Sequence, residues 1–562
     1  MFYRKILKEL EKWKISTSRK PLIIRGARQV GKTTVINEFG KQFKQYIYIN
    51  LEREKDIQLF DNSNDVQQIT ERIFIDKMKQ LSKINDTLLF IDELQEAPHV
   101  VNLLRYFKEE MPELAVIAAG SMLETLLGKN ITIPVGRVEY KVLRPVSFEE
   151  FLGAIGRDEL LQELDKIPMR TVAHETCLRL FHTYALLGGM PEIIEHYIAH
   201  KDITALGEIY DSLLRSYLDD AEKYAISTKQ LQLIRFSIQQ ALIHAGKRIS
   251  FQRFGNSNYS STEISEVLNA LQKTHLIHII YPSTGYGLPI EVDHKKMPRI
   301  QFLDSGLINY AIGLQKDIIG TKDLNSIYQG TLIEHLVGQE LLSTQTLTLK
   351  NLHFWVREKN QSSAEIDFLY VFDGMVIPIE VKSGATGTLK SLHIYLENAS
   401  INFGIRFYAG KITLDKHKTQ LGKTFYLLSL PYFLVSKLNA YILWLKEQIA
   451  SSEENQSFLV KEEEELYERA KKTNKPKIEN KKQLNKKHME ILTFCANSPK
   501  KGKEILEECL QVSNQSRNNK VFIKPLIELG LLMYTDKEYI KNKEQRYMLT
   551  NDGINLLKKV KN

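Results

Sequence analysis

The chain has 562 residues, 43% hydrophobic and 26% charged, with 15 Pro and 29 Gly; this is a globular balance in a chain too long for one core, so several domains are expected. Three cysteines, Cys177, Cys495 and Cys509, show no CxxC or Cys/His ligand spacing, which argues against a disulfide framework or structural zinc and for a reducing, cytoplasmic setting. The net charge of +9 is uneven: residues 471–562 carry 21 Lys/Arg against 10 Asp/Glu, so the basic character belongs to the tail and the remainder is close to neutral.

The opening "MFYRKILKELEKWK" mixes charge into apolar positions and reads as an amphipathic helix rather than a signal peptide. No uninterrupted apolar run reaches the roughly 18 residues of a membrane span. The nearest, "YFLVSKLNAYILWL", is broken by Lys437 and Asn439, and no membrane partner is expected.

"PLIIRGARQVGKTT" runs from an apolar strand into the spacing Gly26-x-x-x-x-Gly31-Lys32-Thr33. Such a loop turns its backbone N–H groups inward and holds a polyphosphate without bulky side chains intervening. Gly26, Ala27, Arg28, Gln29, Val30, Gly31, Lys32, Thr33 and Thr34 form the candidate ATP cradle. Lys32 would meet the β/γ-phosphates and Thr33 would ligate Mg²⁺. A partner acid is then required at the end of a buried strand. "DTLLFIDELQ" supplies Asp92 for the metal and Glu93 to polarise the attacking water.

"YIYINL" near 46–51, "LAVIAAGS" at 114–121 and "RVEYKVL" at 137–143 complete a parallel sheet with helices on both faces. Ser121, at the tip of its strand, is a candidate contact for the γ-phosphate or the water. Arg137 has two readings: a charge-stabilising arginine acting on its own or a neighbour's nucleotide, or a surface ion-pair residue. The first would place an oligomer among the expected states.

Residues 146–228 turn helical and read as a lid over the nucleotide, following an ATPase domain at 1–145. Residues 229–315 look like a winged-helix-like domain. Ser260 and Glu263 have capping-box spacing, and Ile264, Val267, Leu268 and Leu271 follow with helical period. "THLIHIIYPSTGYGLPIEV" reads as two strands around a Gly-containing turn. With few basic residues on its helix, this module is expected to pack rather than to read DNA.

Five segments, "RKPLIIRGARQVGKTT", "LLFIDELQEAP", "PVGRVEYKVLRPVSFEEFL", "LLGGMPEII" and "PRIQFLDSGL", stand in the order seen in bacterial and archaeal AAA-type P-loop ATPases with a C-terminal domain of unknown function 4143. The chain resembles that family over about residues 1–450. The resemblance implies nucleotide-binding roles for Gly26, Gly31, Lys32, Thr33 and Asp92. It also implies a winged helix followed by a restriction-endonuclease-like fold. The basic tail lies outside it.

Residues 316–450 contain "AEIDFLYVFDGMVIPIEVKSG". If Asp373-Gly374 is a two-residue hairpin turn, Asp367 falls opposite Glu380 and Glu365 opposite Lys382, all on one face. Ile366, Phe368 and Tyr370 then share the other face with Val381, Ile379 and Ile377. Two carboxylates about 5 Å apart repel, and a divalent cation would turn repulsion into chelation. Asp367 and Glu380, with Glu334 on the preceding helix, are therefore candidate Mg²⁺ ligands, with Mn²⁺ as the alternative. Lys382 would steady developing phosphorane charge. This is the arrangement of a PD-(D/E)xK nuclease. The competing reading is a vestigial fold whose charges form a solvated edge or a Glu365–Lys382 ion pair.

Residues 451–485 are charged, nearly free of apolar side chains, and read as a linker. Residues 486–562 then outline a second, basic winged helix. Arg517, Asn518, Lys520 and Lys524 lie on or before its third helix and Lys541, Lys543 and Arg546 in its wing, where DNA contacts would fall. A solubilising basic surface is the alternative. The expected fold is thus a multidomain α/β protein, a P-loop ATPase with helical lid, winged helices and a restriction-endonuclease-like domain. Its expected function is ATP binding and hydrolysis coupled to a DNA-directed activity, with metal-dependent cleavage and defence against foreign DNA as its furthest extension. The rival is a nucleotide-switched DNA-binding or regulatory protein whose nuclease-like domain does not cut.

Overall fold

The computed structural model describes residues 2–61, 65–120, 136–220, 225, 227–314, 331–347, 351–357, 364–382, 389–451, 486–496, 498–513, 518–535, 546–550, 552–554 and 556–557. The chain divides into two compact units, Met1–Glu454 and Asn455–Asn562.

The first unit opens with the helix Ile6–Lys14, which buries Ile6, Leu10 and Trp13 on one face. Five strands follow: β1 (Leu22–Arg25), β2 (Gln45–Asn50), β3 (Thr87–Asp92), β4 (Ala115–Ala119) and β5 (Glu139–Val142). They form a sheet in the order β2-β3-β4-β1-β5, parallel throughout. A parallel sheet needs crossovers, and helices accordingly cover both faces. Side-chain alternation divides the strands between two cores. Leu22, Ile24, Leu88, Phe90 and Ile117 pack with Val35, Ile36 and Phe39. Ile23, Leu89, Ile91, Val116 and Ala118 pack with Ile69, Ile73, Val100, Leu104 and Phe107. This is the doubly covered sheet of a P-loop ATPase, with all its strand ends of one polarity on one edge.

Helices fill the next stretch: Phe148–Ala154, Asp158–Leu164, His174–Leu187, Pro191–His200 and Gly207–Asp220. Ser147 and Glu150 close a capping box at the first, and Phe148, Phe151, Phe181 and Tyr184 form a ring cluster. Beyond it the helices Thr228–Ile243 and Ser261–Lys273 pack with β6 (Ile277–Ile280) and β8 (Arg299–Phe302). Ser260 and Glu263 do cap each other reciprocally, and Ile264, Val267, Leu268 and Leu271 are buried.

The expected hairpin within 274–292 is not formed. β6 pairs antiparallel with β8, while β7 (Pro282–Ser283) joins a different sheet. Between 282 and 292 only an isolated bridge, Ser283↔Val292, occurs. Pro282 and Pro289 have no N–H to give a ladder, and Gly285 and Gly287 weaken a strand. "RIQF", buried throughout, takes the partner's place.

A seven-stranded mixed sheet completes the unit, in the order β13-β14-β12-β11-β10-β9-β7. Its strands are β9 (His353–Val356), β10 (Glu365–Phe372), β11 (Met375–Val381), β12 (Phe403–Tyr408), β13 (Thr413–Lys418) and β14 (Thr424–Pro431), with β7 at the edge. Helices Thr331–Ser343 and Lys390–Asn398 pack against β10 to β12.

A buried polar junction binds the helical stretch to both later parts. Asp304 accepts the N–H groups of Gly189 and Leu307. Glu340 accepts the N–H of Phe148 at 3.1 Å and the Tyr184 hydroxyl at 2.7 Å. Gln339 accepts the Ser305 N–H and donates to the Tyr184 hydroxyl. Burial pushes the Asp304 carboxyl up to about 6 and that of Glu340 up to about 7.

The second unit has the helix Lys486–Phe494, helical turns Glu504–Cys509 and Asn519–Ile523, and the helix Lys524–Glu528. They pack on a small sheet of β15 (Lys500–Lys501), β16 (Leu532–Tyr534) and β17 (Arg546–Leu549), ordered β15-β17-β16. Ile491, Leu492, Ile505, Leu506, Ile523, Leu526 and Leu532 make its core. Among the described residues of the whole chain no helix is long and apolar enough to cross a membrane.

Candidate functional site

The phosphate loop leaves the carboxyl end of β1. Gly26 stands at φ +145°, and a Cβ there would lie 2.2 Å from the Leu143 carbonyl oxygen, so only glycine fits where the loop abuts the end of β5. Gln29 and Gly31 also take positive φ, and Gly31 leads directly into the helix Lys32–Gly40. The buried Lys32 ammonium donates to the carbonyls of Gly26 at 3.0 Å and Ala27 at 2.8 Å. Burial draws its pKa down to about 8, against the opposing pull of Glu93 and Asp92. A cation desolvated in this way gains from an arriving phosphate.

Thr33 Oγ1 donates to Asp92 Oδ2 at 2.7 Å, and the Tyr48 hydroxyl reaches the same oxygen at 3.3 Å. Burial raises the Asp92 pKa, as expected of a carboxylate awaiting a cation. A hydroxyl and a carboxylate side by side at the strand end are hard oxygen donors that suit Mg²⁺. Glu93 follows in left-handed conformation, φ +53°. Its N–H donates to Asp92 Oδ1 and its carboxylate accepts from Gln95. Thr34 is exposed on the helix surface.

Two further candidates stand apart. Ser121 lies outside the described residues. Arg137 is not brought to its own phosphate loop: it precedes β5 at the sheet edge where β1 begins, next to the Glu139–Pro21 bond, while the loop leaves the opposite edge. Its guanidinium instead pairs with Glu109 at 2.9 Å on an exposed surface, so the reading as a cis-acting arginine is corrected.

Distant residues that no local motif marks also hold the loop. Arg4 donates to the Val30 carbonyl at 3.0 Å and the Arg144 carbonyl at 2.6 Å, and pairs with Glu150 at 3.2 Å. From the helix Gly207–Asp220, Tyr217 donates to the Arg28 carbonyl at 2.8 Å, Ser216 to Gln29 Oε1 at 2.9 Å, and Asp220 pairs with Arg28.

The second candidate site is the β10–β11 hairpin. Asp373 and Gly374 both take positive φ, the requirement of a two-residue hairpin turn. The register pairs Phe368 with Ile379 and Tyr370 with Ile377. Asp367 Oδ2 accepts the Val381 N–H at 2.7 Å. Across this face lies Arg299 from β8, only 8% exposed. Its Nη2 pairs with Glu365 and lies 3.4 Å from Asp367 and 3.5 Å from Glu334. Its other arm donates to the Asp367 carbonyl at 3.2 Å. Arg248 approaches Glu365 at 3.6 Å. Lys382 pairs with Glu380, two residues back on its own strand, rather than with Glu365.

Glu334, Asp367 and Glu380 therefore act on one another: burial first, then Asp367, push the Glu334 and Glu380 carboxyls well above the usual carboxylate range. The cluster does not fit a cation as it stands. Among the described residues no three His, Cys, Asp or Glu form a metal-holding group. Arg299 places its one positive charge among Glu334, Glu365 and Asp367, in the space where a cation was expected. One atom is left over: Glu380 Oε2 is buried with no hydrogen-bond partner among the described residues.

In the tail, Lys524 begins its helix and approaches Glu528 at 3.7 Å. Arg546 begins β17 and donates to the Pro499 carbonyl at 3.2 Å. Arg517, Lys541 and Lys543, and the side chain of Lys520, lie outside the described residues.

Comparison with known proteins adds the family context. Residues 18–152 match the family model described as AAA domain, residues 178–318 a domain of unknown function (DUF8612), and residues 329–433 a domain of unknown function (DUF4143). An uncharacterized protein of Haemophilus influenzae is 24% identical over 371 residues, which cover 63% of this chain and 82% of that protein. Among solved structures, a Walker-type ATPase of Pyrococcus abyssi aligns at 14% identity and a TM-score of 0.36, over 56% of this chain and 96% of that one. The ORC1 protein of Aeropyrum pernix, solved in complex with DNA, aligns at 13% identity and a TM-score of 0.25, over 57% and 94% of the two chains. The chain thus carries an AAA-type P-loop ATPase domain followed, toward its C-terminus, by the domain of unknown function 4143.

Proposed function

We propose that this chain binds and hydrolyses Mg²⁺·ATP and uses nucleotide state to switch a DNA-directed activity that does not cut DNA. The observation that carries the nucleotide part is the convergence of Lys32, Thr33, Asp92 and Glu93 at the carboxyl edge of one parallel sheet. Lys32 exchanges its two carbonyl partners for the β/γ-phosphates. Thr33 and Asp92 hold the cation, and Glu93 polarises the water that attacks the γ-phosphorus. When bound, Mg²⁺ would spread the charge that develops on the phosphoryl oxygens.

The non-cleaving form of the proposal rests on Arg299, which approaches Asp367 and Glu334, two of the three carboxylates that a nuclease would use for metal. The nuclease-like sheet and the basic tail then serve recognition, with duplex DNA as partner and the tail as its main contact, while the winged-helix-like module between sheet and ATPase packs. Defence against foreign DNA is a setting in which such a switch would operate; it rests on the sequence reading alone. One observation favours the cutting form instead: the second oxygen of Glu380, Oε2, is buried with no hydrogen-bond partner among the described residues and could accept a metal ion.

Supercoiled plasmid incubated with Mg²⁺ or Mn²⁺, with and without ATP, separates the two. The expected result is ATP-dependent retention of the plasmid on the protein with no nicked or linear product. Nicking by wild-type protein, lost in Glu380→Ala, would establish the cutting form.

A further inference from the structure

Arg144 follows β5 and lies close behind the phosphate loop: Arg4 bonds the Arg144 carbonyl with one arm and the Val30 carbonyl with the other. The neighbouring Leu143 N–H donates to the Arg25 carbonyl at 2.8 Å, at the start of the loop. From the helical module, His278 on β6 accepts Arg144 Nη1 at its Nε2, 2.9 Å away. His275 sits just past the helix Ser261–Lys273 at φ +61°, its ring 6.3 Å from that of His278.

The polar atoms here are poorly matched. Arg144 Nε and both ring nitrogens of His275 are buried with no hydrogen-bond partner among the described residues. The charges that act on His275 are those of Arg144, Arg25 and Lys32, all positive. With burial they press its pKa down to about 3, and burial alone draws Arg144 down to about 10. Buried cations are normally paired with carboxylates. A buried guanidinium beside a neutral imidazole, with Arg144 Nε and the His275 ring left unmatched among the described residues, is arranged for an anion.

We propose that Arg144 and His275, with His278 steadying Arg144, form a phosphate-binding site on the flank of the P-loop that faces the helical module. Its ligand is the terminal phosphate of the bound nucleoside triphosphate or a separate phosphate anion. In the first case the inference rests on the nucleotide reading above; in the second it stands without it. Either way two of its three side chains belong to the module beyond the ATPase sheet. Occupancy would therefore tie that module to the loop through a ligand rather than through protein contacts alone.

The test uses the full chain and the variants Arg144→Gln and His275→Gln, with Arg144→Lys as the charge-preserving control. Binding of fluorescent ATP and ADP is measured alongside the melting temperature with and without inorganic phosphate. Loss of a charge-assisted bond to the terminal phosphate should weaken ATP by about tenfold or more in both Gln variants and leave ADP within about twofold, with Arg144→Lys in between. Unchanged nucleotide affinity, together with a phosphate-induced rise in melting temperature that wild type shows and both Gln variants lose, would support the site and assign it to a separate anion. Wild-type ATP affinity and a wild-type response to phosphate in both Gln variants would overturn the proposal. Lys32→Ala reports on the P-loop reading separately: it should lose ATP and ADP alike, and if it binds both normally that reading fails while the phosphate arm still decides this one.

Discussion

The Arg299 guanidinium bonds Asp367 twice, through the carbonyl oxygen at 3.2 Å and Oδ1 at 3.4 Å, so β8 supplies the counter-charge for a carboxylate on β10. The same group pairs with Glu365 and lies near Glu334. A guanidinium serving three carboxylates brings one positive charge where a divalent ion would bring two, and it offers no open coordination position and cannot activate a water.

Arg299→Met should therefore have two effects. Removing one side of a buried ion pair strands its partners, at a cost of about 3–5 kcal/mol. The vacated position should then admit a cation, so Mn²⁺ or Mg²⁺ should raise the melting temperature of Arg299→Met and leave wild type unmoved. Thermal melting of both proteins with and without metal checks this. A metal-induced rise of equal size in wild type would show that Arg299 does not hold the site closed.

At the phosphate loop, Lys32→Ala should abolish nucleotide binding. Glu93→Gln should keep binding within a few-fold while hydrolysis falls by about 10²-fold or more, the usual weight of a positioned base. Equilibrium binding and steady-state phosphate release, measured on the same preparations, separate the two effects. Turnover surviving in both variants would remove Lys32 and Glu93 from the assignment.

Glu340 makes a pH prediction. Its folded carboxyl titrates at about 7, raised chiefly by burial, against about 4.3 for an unstructured glutamate. The folded state thus holds the proton more tightly. Its contribution is complete below about pH 4 and is lost as pH climbs through about 7. Histidines held neutral by burial, such as His335 at about 4, act in the opposite sense, so the useful quantity is a difference between two proteins. The melting temperature of Glu340→Gln relative to wild type should rise steadily between about pH 5 and 7. A difference that stays flat across that window would mean that Glu340 is ionised throughout.

In the tail, DNA affinity carried by phosphate contacts should fall by roughly 0.9 log units per contact for each tenfold rise in salt. Truncation before residue 486 should weaken binding without altering basal ATP turnover, and Lys524→Ala with Arg546→Ala should reduce the salt slope by about two contacts. Filter binding across a salt series measures each slope. Equal affinity with and without the tail would leave its charge a matter of solubility.

The parts of the fold legible in the sequence are those specified locally. Near-continuous apolar runs in β1, β3 and β4 announce strands covered on both faces, and Asp373-Gly374 sets the β10–β11 register because positive φ at both positions admits one turn geometry. Ser260 and Glu263 signal a helix start that is present. The misreading at 274–292 came from assuming that the next apolar segment is the partner; two prolines passed that role to residues 299–302. Arg299 was illegible as a site residue for a related reason. A lone arginine in a buried strand has no spacing signature, and Glu365 and Asp367 lie more than 60 residues downstream of it. Tyr217 and Asp220 reach the phosphate loop from still greater distances, and Arg4 from 26 positions away.

The grip of the helix Gly207–Asp220 on Arg28 and Gln29 bears on kinetics rather than affinity. The backbone at Arg28 and the side chain of Gln29 are fastened to hydroxyls nearly 190 positions away in the chain. Spreading the loop tip would break these bonds unless that helix moved with it. If spent nucleotide leaves through such a spread tip, its exchange and the displacement of the helix would share one barrier. The dwell time of ADP would then be a clock for how long the helix stays down.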